Sequence, residues 1–280
     1  MKKILLTGAT GFIGSNILNE LSKEFKITIL IRKKKLINNK INKIYFNNLK
    51  QLDKLLKKKK FDIIIHCATL YKKEHAIEDI SEMIEANLHL GNKILENCNN
   101  LKCKKFINFT SVWENYNGIK KNPPNLYSVQ KIAFTELMNF YKKKYKYTKF
   151  YNLYLSQTFG ENDRREKLFN VLKENYKNSK VTNLASSIFH MNLLNVSDVV
   201  SAVKILINKN ILSGSYGVIN FKTTDVVKLI QNFNKIKEKK IKYKIISDKI
   251  IKEKNIKYGT IPGWKPKNSS VKDMINYLDG

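Results

Sequence analysis

A tyrosine and a lysine stand four positions apart in the segment Tyr127-Ser128-Val129-Gln130-Lys131. On a helix, this spacing places both side chains on one face. An isolated tyrosine, with a pKa of about 10, is a poor acid or base at neutral pH, and a neighbouring ammonium lowers that pKa because it stabilises the phenolate. Tyr127 and Lys131 are therefore candidates for delivering a proton to the oxygen of a carbonyl group.

The chain contains a second pair with the same spacing, Tyr145 and Lys149, as chance predicts for a sequence with 14 tyrosines and 50 lysines. Spacing alone does not distinguish the two pairs, but position does. Tyr127 follows a loop, Asn122-Pro123-Pro124-Asn125, and this loop comes after a strand-like run that ends at Ser111, sixteen residues before the tyrosine. This is the position that the family resemblance described below requires, so the resemblance favours the first pair.

A glycine-rich segment near the start of the chain has the spacing of a phosphate-binding turn. Its three glycines follow a strand-like run and open an amphipathic helical pattern. Glycine allows a tight turn, a close approach of backbone amides to a pyrophosphate, and close packing of helix on strand, while the helix N-terminus favours negative charge. The segment predicts a dinucleotide site formed by Gly8, Thr10, Gly11, Phe12, Ile13 and Gly14.

Short β-branched runs alternate with longer amphipathic stretches over the first half of the chain. The predicted strands are 4–7, 27–31, 63–67, 106–109 and 150–155, and the predicted helices are 13–22, 49–56, 80–97 and 127–141. This alternation is typical of the α/β class, with a doubly wound parallel sheet of the Rossmann type. After about residue 155 the rhythm loosens, with a helix near 165–175, a strand near 189–194 and a helix near 196–207.

The change of rhythm predicts two parts. Residues 1–155 form the dinucleotide-binding domain, together with a return segment near 189–207. Residues 156–188 and 208–280 form a smaller C-terminal lobe that binds the substrate. We detect no internal repeat and no low-complexity linker beyond the lysine bias.

These motifs, in this order, resemble the extended short-chain dehydrogenase/reductases, a family of nucleotide-sugar epimerases, dehydratases and reductases. The resemblance covers almost the whole chain. It implies that Ser111, with Thr110 as the alternative, hydrogen-bonds the substrate oxygen. It also implies that Tyr127 is the proton donor and that Lys131 both holds the cofactor ribose and acidifies the tyrosine. Further cofactor contacts are implied at Asn48, Leu49 and Ala68.

The residue at the end of the second predicted strand distinguishes two nicotinamide cofactors. A carboxylate there would accept hydrogen bonds from the ribose hydroxyls of NAD and would repel the additional phosphate of NADP. This chain has Arg32 instead, 18 residues after Gly14, and a guanidinium suits a 2′-phosphate. Because the chain has only three arginines, we predict NADPH as the cofactor, with NADH as the less favoured one.

Two departures from the family pattern narrow the reaction. Members that eliminate water carry an Asp-Glu pair after the catalytic residue, and members that epimerise C3 and C5 carry a Cys two residues after it. This chain has Val112 and Trp113 at those positions. Net reduction of a keto group and 4-epimerisation with tightly bound NAD remain, and Arg32 favours reduction. The segments 106–127 and 159–168 resemble a subgroup, the CDP-abequose synthase-like 4-keto reductases of nucleotide-activated 3,6-dideoxy sugars.

That subgroup implies a nucleotide-diphosphate keto-sugar as the substrate, with its 4-keto group between Ser111 and Tyr127. Trp113 is the candidate contact to the sugar, and Arg164 or Arg165 is the candidate contact to the diphosphate. An ion pair at a helix start is the alternative role for the two arginines. Family members often dimerise through a four-helix bundle, so a homodimer through the helices 80–97 and 127–141 is one expectation.

The formal charge of +30 is weak grounds for a nucleic acid partner. Lysine, isoleucine and asparagine all have A/T-rich codons, and lysine runs such as Lys57–Lys60 lack the interleaved aromatic residues that single-strand binders use. We therefore predict no nucleic acid polymer as a partner. A non-catalytic NADP-binding regulator or RNA-binding relative on the same fold is the alternative from another class.

Cysteines and apolar runs indicate the compartment. Cys67, Cys98 and Cys103 are too few and too irregularly spaced for a disulfide framework or a zinc site. No stretch reaches the roughly 18 apolar residues that a membrane span requires. We predict a soluble, cytoplasmic protein with no metal, and we expect His66 to be a packed structural histidine.

Overall fold

The structure is a computed structural model that describes residues 1–32, 41–247, 249–254 and 256–280. The chain forms two compact units. The first comprises Met1–Leu155, Val200–Gly217 and Asn255–Gly263, and the second comprises Ser156–Val199, Val218–Lys254 and Trp264–Gly280. The predicted division has the same first boundary, at residue 155, but residues 189–199 of the predicted return segment belong to the second unit. Residues 208–217 and 255–263, which were predicted to lie in the smaller lobe, belong to the first unit.

A seven-stranded sheet forms the centre of the first unit. Its strands are β1 Lys3–Thr7, β2 Lys26–Ile31, β3 Asn42–Tyr45, β4 Ile63–His66, β5 Lys105–Ser111, β6 Lys149–Leu155 and β11 Gly214–Val218. Their order is β3-β2-β1-β4-β5-β6-β11, and the strands from β3 to β6 pair in parallel. The predicted α/β Rossmann architecture is therefore confirmed. Strand order reverses between β1 and β4, which is the point where open α/β sheets bind their ligands.

Among the described residues, five helices lie wholly within the first unit and connect these strands. They are α1 Phe12–Leu21, α2 Leu52–Leu56, α3 Asp79–Ile84, α4 Leu90–Glu96 and α5 Leu126–Lys144. A π-helical turn, Glu85–His89, joins α3 to α4, so the predicted helix 80–97 is one helical segment with a local widening. Among the described residues, no helix combines the length and the apolar character needed to cross a membrane.

Burial of apolar side chains on both faces of the sheet explains why the strands read as nearly continuous apolar runs. Ile4, Leu5 and Leu6 of β1 are fully buried. Gly91 brings α4 against α5, since a Cβ atom there would lie 2.3 Å from the ring of Phe134. This close packing fixes α5, the helix that carries the tyrosine and lysine pair.

The second unit contains short strands and three complete helices. The elements are β7 Gln157–Phe159, α6 Leu168–Lys177, β8 Val181–Leu184, β9 Ile188–Met191, β10 Leu193–Asn195, β12 Thr224–Asp225, α8 Val226–Ile236, β13 Lys242–Ile245, β14 Ile250–Lys252 and α9 Val271–Asp279. The strands pair as β10-β7, β12-β9-β14 and β13-β8. Phe159, Phe169, Leu172 and Phe233 are buried in its core.

The predicted strand 189–194 is two strands in the structure, and this explains the different unit boundary. Asn192 interrupts it: the side-chain amide donates to the Asn220 carbonyl at 2.7 Å and accepts from the Asn220 amide at 2.9 Å. β9 and β10 consequently pair with different strands of the second unit. The return to the first unit occurs within α7, Val196–Asn208, where Lys204 forms an ion pair with Glu24.

Candidate active site

The glycine segment forms the turn between β1 and α1. Gly8 has a φ of +67°, and a Cβ atom there would lie 2.5 Å from the Ala68 nitrogen. A Cβ atom on Gly14 would lie 2.1 Å from the Gly8 carbonyl oxygen. Gly11 is exposed, and its nearest contact would be 3.4 Å. The turn itself thus requires the first and third glycines, whereas the second leaves the outer side of the turn open to a ligand.

The start of α1 has the properties that a pyrophosphate requires. Gly11 precedes the helix and provides no side-chain oxygen to the amide groups of the first turn. Those N–H groups have no partner inside the helix, and the helix dipole favours an anion at this end. Thr10 is exposed, while Phe12 and Ile13 are half-buried. The residues present therefore fit the diphosphate of a dinucleotide cofactor.

A buried hydrogen-bonded pair holds the loop after β4 against this turn. Thr7 and His66 are joined by a hydrogen bond of 2.9 Å between the hydroxyl and Nδ1, and the Ala68 amide donates to the same hydroxyl at 3.1 Å. Burial, with a smaller contribution from Lys131, lowers the pKa of His66 to about 3. The imidazole is therefore neutral at physiological pH, and it packs against the rings of neighbouring phenylalanines.

Asn87 connects the same loop to α5. Its amide group donates to the Leu70 carbonyl at 3.0 Å and to Gln130 Oε1 at 2.6 Å. Its side-chain oxygen accepts from the Thr69 hydroxyl at 2.8 Å and from the Leu70 amide at 2.7 Å. Asn87 lies in the π-helical turn, and Gln130 immediately precedes the candidate lysine on α5. This network fixes the helix relative to the loop that follows β4.

The loop before α5 places Tyr127 in the first turn of the helix. Asn125 is the N-cap residue, and its side chain accepts a hydrogen bond from the Ser128 amide at 3.0 Å. One turn later, Lys131 Nζ lies 5.6 Å from the centroid of the Tyr127 ring. Both the ammonium and the positive end of the helix dipole favour a phenolate at this position.

Lys131 is buried between α5 and β5. Its ammonium donates to the Phe109 carbonyl at 3.0 Å, two residues before Ser111 on the same strand. Burial lowers the pKa of Lys131 to about 8, while the nearby Glu114 carboxylate raises it. The Ser111 hydroxyl oxygen accepts from the Trp113 amide at 3.1 Å, so its hydrogen is available to a second acceptor. The structure thus brings the lysine to the strand end that carries the serine.

Aromatic rings surround the candidate tyrosine. Tyr71 contacts Tyr127 edge to face, with 5.0 Å between ring centroids, and lies 6.3 Å from Trp113. Trp113 in turn lies 6.4 Å from the ring of Tyr116. All but Tyr116 are half-buried. These rings form a wall next to the phenol of Tyr127. The sequence analysis had identified only one of them, Trp113, as a site residue.

The second Tyr-x-x-x-Lys pair is not a catalytic arrangement. Tyr145 is the residue that ends α5, and its hydroxyl donates to the Glu96 carbonyl at 3.0 Å. Lys149 lies on β6 and donates to the Ile211 carbonyl at 3.3 Å. The two residues therefore do not share a helix face, whereas Tyr127 and Lys131 do.

Arg32 lies at the end of β2, as predicted, but it has a partner that the sequence did not reveal. Its guanidinium forms an ion pair of 2.7 Å with Glu85 in the π-helical turn. About a third of the Arg32 side chain stays exposed. Nearby, Asn48 is exposed and caps the turn Leu49–Gln51 by accepting from the Lys50 amide at 3.1 Å, while Leu49 packs against the core.

Known proteins are similar to this chain in sequence and in fold. The model of the NAD dependent epimerase/dehydratase family matches residues 4–220, which is more than half of the chain. The chain belongs to this family. Its match spans the glycine turn, the serine at the end of β5 and the tyrosine and lysine of α5, so the predicted kinship with the extended short-chain dehydrogenase/reductases is confirmed.

Two curated family members are similar in sequence. A CDP-abequose synthase of Salmonella muenchen is 29% identical over 222 residues, which is 78% of this chain and 74% of that protein. A dTDP-D-glucose 4,6-dehydratase of Dictyostelium discoideum is 30% identical over 276 residues, which is 84% of this chain and 62% of that protein.

Solved structures share the fold at lower identity. MoeE5 in complex with UDP-glucuronic acid and NAD has a TM-score of 0.83 at 16% identity, covering 99% of this chain and 98% of that chain. A UDP-glucose 4-epimerase of Thermotoga maritima with UDP-glucose has a TM-score of 0.81 at 16% identity, covering 99% and 97%. At this identity the likeness establishes the fold of the family.

The two other arginines lie in the second unit and differ in their surroundings. The Arg165 guanidinium donates to Asp163 at 2.7 Å and to the Thr158 carbonyl at 2.9 Å. Arg164 is exposed. Arg165 thus forms the ion pair that the sequence offered as an alternative role, and Arg164 remains the arginine with an accessible guanidinium.

One buried carboxylate near the candidate tyrosine and lysine was missed by sequence reasoning. Glu114 is 4% exposed, and it follows Ser111 by three residues on a short helical turn. Hydroxyl groups of Thr110 and Tyr154 donate to its carboxylate, and the Thr135 hydroxyl lies 3.5 Å from it. Burial raises the pKa of Glu114 to about 7. Residue type offered one weak signal, since acidic residues are scarce in this basic chain, but nothing in the spacing indicated an inward direction.

Cysteines and metal-binding side chains add no second site in the described part of the chain. Cys98 and Cys103 are buried free thiols, and Cys67 is half-buried. Among the described residues, no group of three or more His, Cys, Asp or Glu side chains is arranged to hold a metal ion.

Replacing Gly8 by alanine tests the turn geometry. We expect the free energy of unfolding to fall by about 2 kcal/mol or more, because a left-handed backbone and a 2.5 Å contact with backbone both oppose the added Cβ. The control is Gly214→Ala on β11, where the nearest atoms would lie 3.7 Å away. Urea unfolding curves that move equally for both variants would contradict the assignment.

Proposed function

We propose that this protein reduces the 4-keto group of a nucleotide-activated deoxy sugar with NADPH. The observation that carries the proposal is the placement of Tyr127, Lys131 and Ser111 together, at one end of β5 and α5. Val112 and Trp113 occupy the positions where dehydratases and 3,5-epimerases of the family have their additional catalytic residues. The similarity to CDP-abequose synthases supports the substrate class.

The chain's own residues account for the proton that the reduction consumes. A nicotinamide cofactor, when bound, would supply the hydride that C4 of the sugar receives. The Tyr127 hydroxyl donates its proton to the carbonyl oxygen, and the resulting phenolate is stabilised by the Lys131 ammonium. The Ser111 hydroxyl donates a hydrogen bond to the same oxygen and so holds it near the phenol. The product is an alcohol at C4.

Binding roles follow from exposure and chemistry. The wall of Tyr71 and Trp113 offers apolar surface to a sugar that lacks hydroxyl groups. The exposed guanidinium of Arg164 suits a diphosphate, which it can contact through two parallel hydrogen bonds. Around the cofactor, the N-terminus of α1 would hold the pyrophosphate and Arg32 the 2′-phosphate. We place the reaction in the cytoplasm, because buried free thiols persist in a reducing compartment.

The decisive experiment supplies the purified protein with a panel of nucleotide 4-keto sugars that differ in base and deoxygenation, together with NADPH. We expect loss of NADPH absorbance with at least one deoxy keto-sugar and a single C4 configuration in the product. No turnover across the panel, with cofactor bound, would favour the non-catalytic regulator instead.

One observation favours a second candidate, an NAD-dependent 4-epimerase. The Glu85 carboxylate lies beside the end of β2, where a carboxylate can accept hydrogen bonds from the ribose of NAD. An epimerase retains its cofactor through both hydride transfers. NAD that survives purification, with 4-epimerisation of a nucleotide sugar and no consumption of added NADPH, would establish this function in place of net reduction.

Two substitutions at the ion pair test the cofactor assignment. Arg32→Ala is expected to raise the KM for NADPH by about tenfold or more and to leave the KM for NADH nearly unchanged, because only NADPH carries the phosphate that the guanidinium binds. Glu85→Gln is expected to lower the KM for NADPH, since the arginine no longer has a competing carboxylate. Lys23→Ala, which removes an exposed ion pair with Glu20, is the control. Equal effects on both cofactors would refute the phosphate role.

The homodimer stays a prediction. α5 has exposed apolar side chains, among them Val129 and Phe140. Sedimentation at several protein concentrations would measure the oligomeric state directly.

A further inference from the structure

Behind the catalytic pair lies a carboxylate that the proposed mechanism does not use. The Glu114 carboxylate accepts hydrogen bonds from the hydroxyl groups of Thr110 on β5 and Tyr154 on β6. The Thr135 hydroxyl on α5 lies 3.5 Å from it and donates to the Lys131 carbonyl at 3.0 Å. A buried carboxylate held only by neutral donors is costly in free energy unless a cation lies near it. Lys131 is a buried cation between the same two elements, because its ammonium donates to the carbonyl of Phe109, the residue before Thr110. Each of the two groups favours the charged form of the other.

A polar chain fixes the position of this carboxylate from its far side. Asn152 donates to the Thr135 hydroxyl at 2.9 Å and accepts from the Asn108 amide at 2.7 Å. Tyr154 stacks at 4.6 Å on Tyr258, whose hydroxyl accepts from Asn115, the residue after Glu114. These hydrogen bonds hold the carboxylate between β5 and α5, the two elements that also enclose the lysine, which is a positioning arrangement and not a surface ion pair.

We propose that Glu114 is a positioning residue that keeps the Lys131 ammonium charged in the neutral and weakly alkaline range. The inference rests on the proposed function, because it assigns Glu114 a part in the proton donation by Tyr127. Reduction needs the ammonium to stabilise the phenolate that forms when Tyr127 gives up its proton. Glu114 makes no contact with the reacting atoms in this assignment; it acts through Lys131.

The titratable and charged groups around the carboxylate define the direction of its effect. Lys131 and Glu136 face it from α5, and Tyr154 faces it from β6. Tyr258 stands behind Tyr154, and Cys67 faces Lys131 from the loop after β4. Below about pH 7 the carboxyl is protonated and the lysine is charged without its help. Above that pH the carboxylate ionises and keeps the lysine protonated to higher pH than burial alone would allow.

Glu114→Gln keeps the shape of the side chain and removes the charge. We expect the alkaline limb of the profile of kcat/KM against pH to move down by about one unit, so that the variant has nearly normal activity at pH 6 and about a tenth of normal activity near pH 8.5. The control is Glu136→Gln on the same helix, whose exposed carboxylate should leave the profile in place. Glu114→Asp should restore part of the alkaline activity. A Glu114→Gln profile that superimposes on that of the unmodified protein would overturn the proposal.

A second experiment measures the titration of the Glu114 carboxyl group directly, in the protein that retains Glu114 and without any turnover. Glutamate labelled with ¹³C at the carboxyl carbon should give one resonance that titrates near pH 7 and moves to higher pH in Lys131→Met. Tyr154→Phe, which removes one hydrogen bond donor to the carboxylate, should also raise the pH at which it titrates and serves if Glu114→Gln does not fold. A resonance insensitive to Lys131→Met would disprove the coupling. Absence of any keto-sugar reduction, with the coupling present, would refute the proposed function separately.

Discussion

Tyr127→Phe is expected to lower kcat for keto-sugar reduction by about 10²–10⁴-fold, the usual contribution of a positioned general acid. The substitution removes the phenol hydroxyl one helical turn before Lys131, in the first turn of α5. The ring remains, so its edge-to-face contact with Tyr71 should remain as well. We therefore expect the affinity for NADPH and the free energy of unfolding to change little.

Steady-state kinetics and calorimetric titration of NADPH check this expectation in the same preparation. The matched control is Tyr145→Phe, which has the same chemistry in the second Tyr-x-x-x-Lys pair. Its hydroxyl donates to the Glu96 carbonyl, so its loss should reduce stability slightly and leave kcat unchanged. Unchanged turnover in Tyr127→Phe would exclude the phenol as the proton donor.

The central sheet and the order of the site motifs along the chain were predictable because both depend on local sequence patterns. Parallel strands covered on both faces read as continuous apolar runs, and each is followed by a helical pattern, so β1 and β4 were recognisable from isoleucine and leucine alone. A glycine that must adopt a positive φ at the end of such a run, as Gly8 does, leaves a clear mark in the sequence. These features place the cofactor turn without knowledge of distant contacts.

Elements that depend on long-range pairing were not predictable. β3 has the sequence Asn42-Lys43-Ile44-Tyr45 and exists because it adds to the edge of an existing sheet beside β2. The predicted strand 189–194 was wrong as a single strand, since Asn192 pairs with Asn220, 28 residues later. In the lysine-rich last third of the chain, α8 buries an apolar face, but the lysines and asparagines between its apolar residues obscured the helical pattern.

The partners of charged residues were equally impossible to predict from the sequence. Arg32 and Glu85 are 53 residues apart, and the sequence indicated the arginine but not its carboxylate. Glu114 was invisible for the same reason, because Thr135 and Tyr154 reach it from two other elements. A sequence identifies which residue types could perform the chemistry, whereas the pKa values of those residues depend on what the fold places around them.

Lys131→Met is expected to have two opposite effects. Turnover should fall by about 10²-fold or more, because the phenolate of Tyr127 loses its ammonium. The free energy of unfolding should rise by about 2 kcal/mol at pH 6. Burial lowers the pKa of the lysine from 10.5 to about 8, which corresponds to roughly 3 kcal/mol, and the unpaired Phe109 carbonyl would return about 1 kcal/mol of this.

The pH dependence of this gain follows from the sign of the pKa shift. The pKa of Lys131 is lower in the folded protein than in the unfolded protein, so the folded protein binds fewer protons between about pH 8 and 10.5. The free-energy cost of the buried ammonium is therefore fully present below pH 8 and disappears as the pH rises toward 10.5. At pH 6 the Glu114 carboxyl is largely protonated and contributes little to the difference between the two proteins. Urea unfolding at pH 6 and at pH 9.5 should therefore show a larger stabilisation by methionine at the lower pH.

Lys105→Met is the control for this prediction. Lys105, on β5, is also a lysine whose pKa is lowered by burial, but its ammonium donates to the carbonyls of Leu206, Ile207 and Lys209, away from the tyrosine. Removing those hydrogen bonds should reduce stability and leave kcat unchanged. If Lys131→Met also lost stability at pH 6, the lysine would be a structural residue stabilised by its surroundings. A gain in stability together with lost turnover would show that the fold tolerates a costly buried charge because the reaction requires it.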